Sequence, residues 1–320
     1  MMPWLYSALG LVILLLAGDA LVRGAVNLSL RLGVPALIVS LTIVAFGTSA
    51  PELLIAISAV HEGADGIAMG NVVGSNTANI LLVLGIPALM RALHTSECNT
   101  RKNYVFMLVA SVLFIGLAFC GTFTVWSGLI LLAALSVVLG IAFREARNHR
   151  RNGKSSSCAA DVDLEEIEEA DPDMPYWRVC TYLLLGLIGL PLGADLLVDN
   201  ATIIARTYGI SETVIGLTLV AVGTSLPELA TTVMAAMRRQ ADVALGNVIG
   251  SNMFNLLAII GIATFIGPIT VDPEFLRFDL WVMLAASLLL IPFVFLKQDI
   301  TRIWGVILTA LYLAYMAVLF

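Results

Sequence analysis

A segment of 45 residues occurs twice in this chain: laying 41–85 over 217–261 at a constant offset of 176 needs no gap, and 21 of the 45 positions are identical. Internal repetition constrains a fold more tightly than local propensity does, because each copy is one unit that buries its face against the other. The matched cores are Leu41–Glu52 (LTIVAFGTSAPE) with Leu217–Glu228 (LTLVAVGTSLPE), and Gly70–Asn76 (GNVVGSN) with Gly246–Asn252 (GNVIGSN). Asp19 and Gly33 meet Asp195 and Gly209 at the same offset.

The solvent that both copies meet is lipid. Of 320 residues, 59% are hydrophobic and 12% charged, against roughly 25% charged in a soluble domain, and mean hydropathy is +0.96. With 17 basic against 23 acidic residues the chain lacks the footprint of a nucleic-acid binder. Cys98, Cys120, Cys158 and Cys180 share no C-x-x-C spacing, which leaves no signal for a zinc site, a redox pair or a disulfide scaffold. Apolar runs of about 20 residues, enough to cross the hydrocarbon, lie near 4–22, 34–60, 67–90, 104–120, 124–143, 177–200, 210–236, 243–268, 279–296 and 302–320. The expected fold is therefore all-α, a polytopic membrane protein of about ten transmembrane helices. No basic n-region precedes the first run and Gly18-Asp19 is no cleavage site, so that run reads as a retained span.

Lys and Arg in short loops set orientation. With the N-terminus outside, Arg23, Arg31, Arg91, Arg101, Lys102, Arg144, Arg147, Arg150, Arg151, Lys154, Arg178, Arg238, Arg239, Lys297 and Arg302 all fall inside, and only Arg206 and Arg277 outside. Both termini are expected outside the membrane, with 144–176 cytoplasmic. That stretch runs from basic Arg144–Lys154 through Ser155–Ser157 to acidic Asp161–Asp173. It reads as a solvated linker in preference to a regulatory tail, and at roughly 30 residues it is too short for a folded domain.

The first core lies in the second span and its copy in the seventh, so the copies run in opposite directions. The chain thus divides into a five-helix repeat over 1–143, a linker over 144–176, and an inverted five-helix repeat over 177–320. Inverted repeats characterise secondary transporters, whose sites form near the midplane on interrupted helices. Pro51 and Pro227 have no N–H for the carbonyls of Gly47 and Gly223, which predicts such an interruption in each copy. Backbone freed at that depth requires protein, a polar cavity or a cation as its partner.

Glu52 and Glu228 fall well inside apolar spans, where an ionisable side chain is a functional hypothesis by default. Two ionised carboxylates about 5 Å apart repel by roughly 3 kcal/mol at an effective dielectric near 20, a cost that a divalent cation between them removes. Thr48 and Ser49, or Thr224 and Ser225, share the helix face of each Glu, and Ser75 with Asn79, or Ser251 with Asn255, forms an i, i+4 pair on the next span. All these groups are oxygens or amides, which suit Ca²⁺ or Na⁺ and disfavour Zn²⁺ or Cu⁺; Mg²⁺ holds its water too firmly. The G-x-x-x-G spacings at Gly70 and Gly246 read as close helix packing. Asp19 and Asp195 read as interfacial or Arg-paired, and His61, Glu62, Asp65 and Asp242 as solvated loop residues.

G-T-S-A-P-E and G-T-S-L-P-E, each followed by G-N-V-x-G-S-N, resemble the paired alpha-repeats of the cation/calcium exchanger superfamily, the sodium/calcium exchangers. The short central loop is similar to that of prokaryotic members, which implies a place in the cell membrane, the inner or plasma membrane of a prokaryote. The resemblance implies an antiporter, not an enzyme, in which Na⁺ entry drives Ca²⁺ export by alternating access. It implies Glu52 and Glu228 as central ligands of both ions, with the carbonyls of Thr48 and Thr224 on calcium. Ser49, Ser75, Ser225 and Ser251, with the carbonyls of Ala45 and Ala221, would complete flanking sodium sites, and the first and sixth spans would slide over a rigid core. Some prokaryotic and potassium-dependent members carry Asp where this chain has Asn255, the partner of Asn79. A site with two negative charges balances one Ca²⁺ or two Na⁺, which argues against K⁺ co-transport. The transported ions are thus Ca²⁺ and Na⁺, with no cofactor, no nucleic acid and a monomer as the expected functional unit in the bilayer.

Three alternatives compete. H⁺/Ca²⁺ exchange uses the same residues. A cation channel uses the same oxygens, but tight paired carboxylates bind too firmly for fast conduction. An intramembrane protease calls for paired Asp with one pKa raised, where this chain has paired Glu among hydroxyls.

Overall fold

Nothing in Met2–Leu32 breaks a helix, and α1 runs its full 31 residues before Gly33 turns the chain at φ +65°. Its counterpart α7, Tyr176–Thr207, runs 32 residues to Gly209 at φ +76°. Both exceed the expected spans 4–22 and 177–200, so Asp19 and Asp195 lie well inside their helices and not near an end. These elements come from a computed structural model, which describes residues 2–95, 98, 100–152, 171, 173–209 and 221–319. The expected span 210–236 is thus described from residue 221 onward.

Between α1 and α7 lie α2 (Ala36–Thr48), α3 (Ala50–His61), α4 (Asp65–Met90), α5 (Arg101–Ala118) and α6 (Val125–Asn152). After α7, the turn Ala221–Gly223 leads into α8 (Leu226–Met237), followed by α9 (Ala241–Ala263), α10 (Asp279–Phe295) and α11 (Arg302–Leu319). Among the described residues seven helices are long and apolar enough to cross a membrane, and the bent pair α2–α3 makes eight. The shorter apolar helices α8 and α10 stand at the two remaining expected positions. Helix α6 continues into the expected linker as far as Asn152, while the acidic segment 161–173 lies outside the described residues except at Asp171 and Asp173. A two-residue ribbon pairs Thr122 with Thr270 and Phe123 with Ile269 in antiparallel register.

Two helix contacts organise the molecule. Helices α1 and α7 lie antiparallel at glycine distance: a Cβ on Gly10 would sit 2.7 Å from Leu197 N, and one on Gly186 would sit 2.8 Å from Leu21 Cα. Gly10 and Leu197 become Gly186 and Leu21 under the offset of 176, so this pair is two-fold related. Helix α9, buried from Val243 to Gly261, lies against α2, where a Cβ on Gly250 would meet Leu41 O at 2.5 Å and Ala45 Cβ at 2.6 Å. The G-x-x-x-G spacing in this copy is therefore a close backbone approach that seats one repeat on the other. Outward-facing Trp126, Phe143 and Ile303 are 70–76% exposed, as lipid-facing side chains are.

Candidate cation-binding site

The chain breaks between Thr48 and Ala50, and α2 and α3 diverge by 43°. Ser49 sits at the N-cap of α3 with φ −84° and ψ 6°, and Pro51 falls in the first turn, where its missing N–H costs nothing. Ser225 and Pro227 hold the same positions on α8. Each Glu is thereby the acidic residue of a first turn, at the positive end of a helix dipole that favours a carboxylate. The spacing S-x-x-E is that of a capping box, yet neither serine caps its own helix. The Ser49 hydroxyl instead crosses to the other repeat and donates to Glu228 Oε1 at 3.2 Å.

Ser251 on α9 donates to the same Oε1 at 3.4 Å. The Thr48 hydroxyl lies 3.4 Å from Ser251 Oγ and 3.3 Å from both Ala45 O and Asn247 Oδ1. Six of the expected residues and their carbonyls are thus drawn around one carboxylate or its opposite number: Glu228, Ser49, Ser251, Thr48 and Ala45, with Glu52 interacting electrostatically with Glu228. Both Glu residues are fully buried, and they are the only buried ionisable acids among the described residues. Both oxygens of Glu52, Glu228 Oε2 and Ser225 Oγ have no hydrogen-bond partner there.

The remaining expected residues are distributed around this centre. Asn79 Nδ2 donates to Asn252 Oδ1 at 3.1 Å, leaving Asn79 Oδ1 bare. Asn255 is fully buried with neither side-chain polar atom partnered. It lies in a π-helical stretch, Phe254–Ile259, so the Ser251 to Asn255 step leaves the regular α spacing that Ser75 and Asn79 keep. Ser75 is buried, Thr224 is half-buried in the turn before α8, and Ala221 opens Ala221–Gly223.

Two further asparagines of the repeated motif, to which spacing assigns no role, support the glutamates from behind. Asn71 Nδ2 donates to Glu52 O at 3.0 Å, and Asn247 Nδ2 to Glu228 O at 3.3 Å. Their identity at the offset of 176 is the signal that marks them. Asn76 and Asn252 likewise donate across to the thioethers of Met283 and Met107, at 3.7 and 3.8 Å.

Asp19 lies outside the site, in an ion pair with Arg23 at 2.8 Å and a second with Arg238. Asp195 is exposed. Asp65 and Asp242 are corrections to the loop reading: each is half-buried in the first turn of a helix, and Asp65 Oδ2 accepts from Thr270 N at 2.8 Å. The break in the chain frees backbone polarity, and a helix start is where that polarity favours an anionic ligand arm.

Known proteins resemble this chain in sequence and fold. The family model described as sodium/calcium exchanger protein matches residues 2–144 and 179–320. The sodium/calcium exchanger MaX1 of Methanosarcina acetivorans is 35% identical over 343 residues, covering 99% of this chain and 98% of the relative. The inner membrane protein YrbG of Escherichia coli is 34% identical, covering 97% and 94%. Among solved structures, the sodium-calcium exchanger NCX_Mj soaked with 2.5 mM Na⁺ and 0.1 mM Ca²⁺ superposes with a TM-score of 0.79 at 30% identity, covering 99% of this chain and 98% of that one. The same exchanger soaked without either ion gives 0.80 at 31%, with 99% of both chains covered. The chain belongs to the sodium/calcium exchanger protein family and is a transporter, not an enzyme.

Proposed function

We propose that this protein exchanges Na⁺ for Ca²⁺ across the membrane by alternating access, Na⁺ entry driving Ca²⁺ export. The observation that carries the reading is the pair Glu52 and Glu228: fully buried, each in the first turn of a broken span, with bare carboxylate oxygens beside hydroxyls, amides and carbonyls. Buried carboxylates without partners are costly, and a hard cation with six to eight oxygen ligands is the partner that suits them. Glu52 and Glu228 with the carbonyls of Thr48 and Thr224 hold Ca²⁺. Ser49, Ser225, Ser75 and Ser251, Asn79 and Asn255, and the carbonyls of Ala45 and Ala221 serve Na⁺ around the same pair. Two negative charges balance one Ca²⁺ or two Na⁺, and a third Na⁺ would leave the loaded carrier with one positive charge.

The repeats are 1–143 and 177–320, joined by 144–176 on the cytoplasmic side, and both termini face outward. The relative named for sodium and calcium and the soaked NCX_Mj structures support the choice of ions. The test is ⁴⁵Ca²⁺ flux in vesicles of purified protein under imposed gradients. Uptake driven by internal Na⁺ and abolished without it is expected. Uptake driven equally by a pH gradient in sodium-free buffer would assign the carrier to H⁺/Ca²⁺ exchange.

A further inference from the structure

The two faces of the carrier carry opposite charge designs at equivalent positions. On one, Asp19 of α1 is held by Arg23 one turn along the same helix, at 2.8 Å, and by Arg238 at the end of α8. The Asp19 side chain is 16% exposed. The end of α8 is itself fixed, since Arg91 Nη1 donates to Met237 O at 2.8 Å. Below the ion triad the helices touch: a Cβ on Gly18 would lie 3.0 Å from the carbonyl of Ala230. Applying the offset of 176 turns Asp19, Arg23 and Arg238 into Asp195, Asp199 and Glu62, three acids at an equivalent place. All three are exposed, and none makes an ion pair among the described residues. The packing follows the charges, for Ala230 is 7% exposed while its equivalent Leu54 is 66% exposed.

We propose that Asp19, Arg23 and Arg238 form an ionic latch that fastens α1 to α8 on one face, and that the all-acidic equivalent leaves the opposite face unlatched. The pair α1 and α7 moves as a unit, because glycine contacts lock the two helices together. Tying α1 down at the Arg238 face therefore tilts the pair away from α3 at the Glu62 face. Attraction closes one side and like-charge repulsion opposes closure of the other, so the two open states of the carrier differ in free energy by design of its surface charges. This rests on the alternating-access reading.

Maleimide labelling of purified, cysteine-replaced protein tests it without measuring ion flux, so failure of the exchange reading would not imitate failure of the latch. One reporter is Met234→Cys, a turn from Arg238 on α8; the other is Leu54→Cys on the opposite face. Arg238→Gln and Asp19→Asn are each expected to speed labelling at the first reporter about tenfold and to slow it at the second, while Arg238→Lys keeps the wild-type rates. Unchanged rates in both neutral variants would overturn the latch. So would Arg238→Lys labelling as fast as Arg238→Gln, which makes the role steric, or acceleration at both reporters together, which makes it a general loosening.

Discussion

Glu52 and Glu228 are one residue written twice, behind the same G-T-S-x-P, yet their surroundings differ. Glu228 Oε1 accepts from Ser251 of its own repeat and from Ser49 across the repeat boundary. The equivalent bond from Ser225 to Glu52 is not made, and both partners are buried and bare. An inverted repeat is thus symmetric in sequence without being symmetric in any one conformation. For a carrier this is a requirement: if both glutamates met identical surroundings, the two faces of the membrane would be equivalent and no state would face only one of them. Under the proposed alternating access, movement of α1 and α7 over the core would exchange these surroundings, and the Ser–Glu contact made on one side would be the one broken on the other.

Removing either charge should erase the comparison altogether. Glu52→Gln and Glu228→Gln keep the shape of the site but take away half of its charge, and ⁴⁵Ca²⁺ uptake into Na⁺-loaded vesicles should fall about a hundredfold or more, the equivalent of the ~3 kcal/mol at the upper end for a hydrogen bond to a charged group. Near-normal flux in both variants would sink the assignment of the pair as central ligands.

A steric wedge should come next. Gly250 precedes Ser251, and its Cβ position lies 2.5 Å from the main chain of α2 at Leu41, a turn before Ala45. Backbone cannot yield as a flexible side chain can, so Gly250→Leu parts α9 from α2 and carries Ser251 away from Glu228. A cost of about 3 kcal/mol, at the high end for overpacking, should appear as a clearly lower thermal midpoint in detergent. A midpoint within a degree or two of wild type would mean that α9 does not seat the Glu228 donors.

How much of this was legible in the sequence follows from the range of the forces involved. Pro51 acts on its own turn, so the interruption between α2 and α3 could be read from spacing alone; the helix face expected to join Thr48 and Ser49 to Glu52 is a correction, because the helix ends at Thr48 and restarts at Ala50. Composition likewise fixed the class of fold, since it reports the solvent. The length of α1 was not legible because charged Arg23 looks like a span end; its ion pair with Asp19, which Arg238 shares, lets the helix continue. The π stretches at Ser40–Val44 and Phe254–Ile259 left no composition signal, because they answer to packing across the repeat boundary. The unequal hydrogen bonding of identical glutamates was the least legible of all: the motif is the same in both copies, and only relative helix position separates them.

Deleting single hydroxyls sharpens the comparison without destroying it. Ser49→Ala removes a donor to a carboxylate, worth about 1.5 kcal/mol, and should weaken Na⁺-dependent Ca²⁺ exchange about tenfold when the ions are varied on one side of oriented vesicles. Ser225→Ala should do so when they are varied on the other side. Equal effects from both sides for both variants would show that the Ser–Glu asymmetry does not exchange during transport.

The smallest effect is expected where the two repeats do make the same contact. Asn252 reaches Met107 Sδ at 3.8 Å and Asn76 reaches Met283 Sδ at 3.7 Å, and the two methionines are themselves related by the offset of 176, outside the segment in which the duplication was first visible. A thioether is a weak acceptor, and Asn252 Nδ2 has Asn76 O at 3.4 Å as well. Replacing Met by Leu keeps the volume and removes the sulfur, at a cost below about 1.5 kcal/mol. Met107→Leu and Met283→Leu should therefore each lower apparent Ca²⁺ affinity by only a few-fold, and by the same factor within about twofold, because neither repeat is favoured at this layer. A large gap between the two variants would extend the asymmetry of the glutamates to the helices behind them, and would place the moving boundary deeper in the core than the α1–α7 pair.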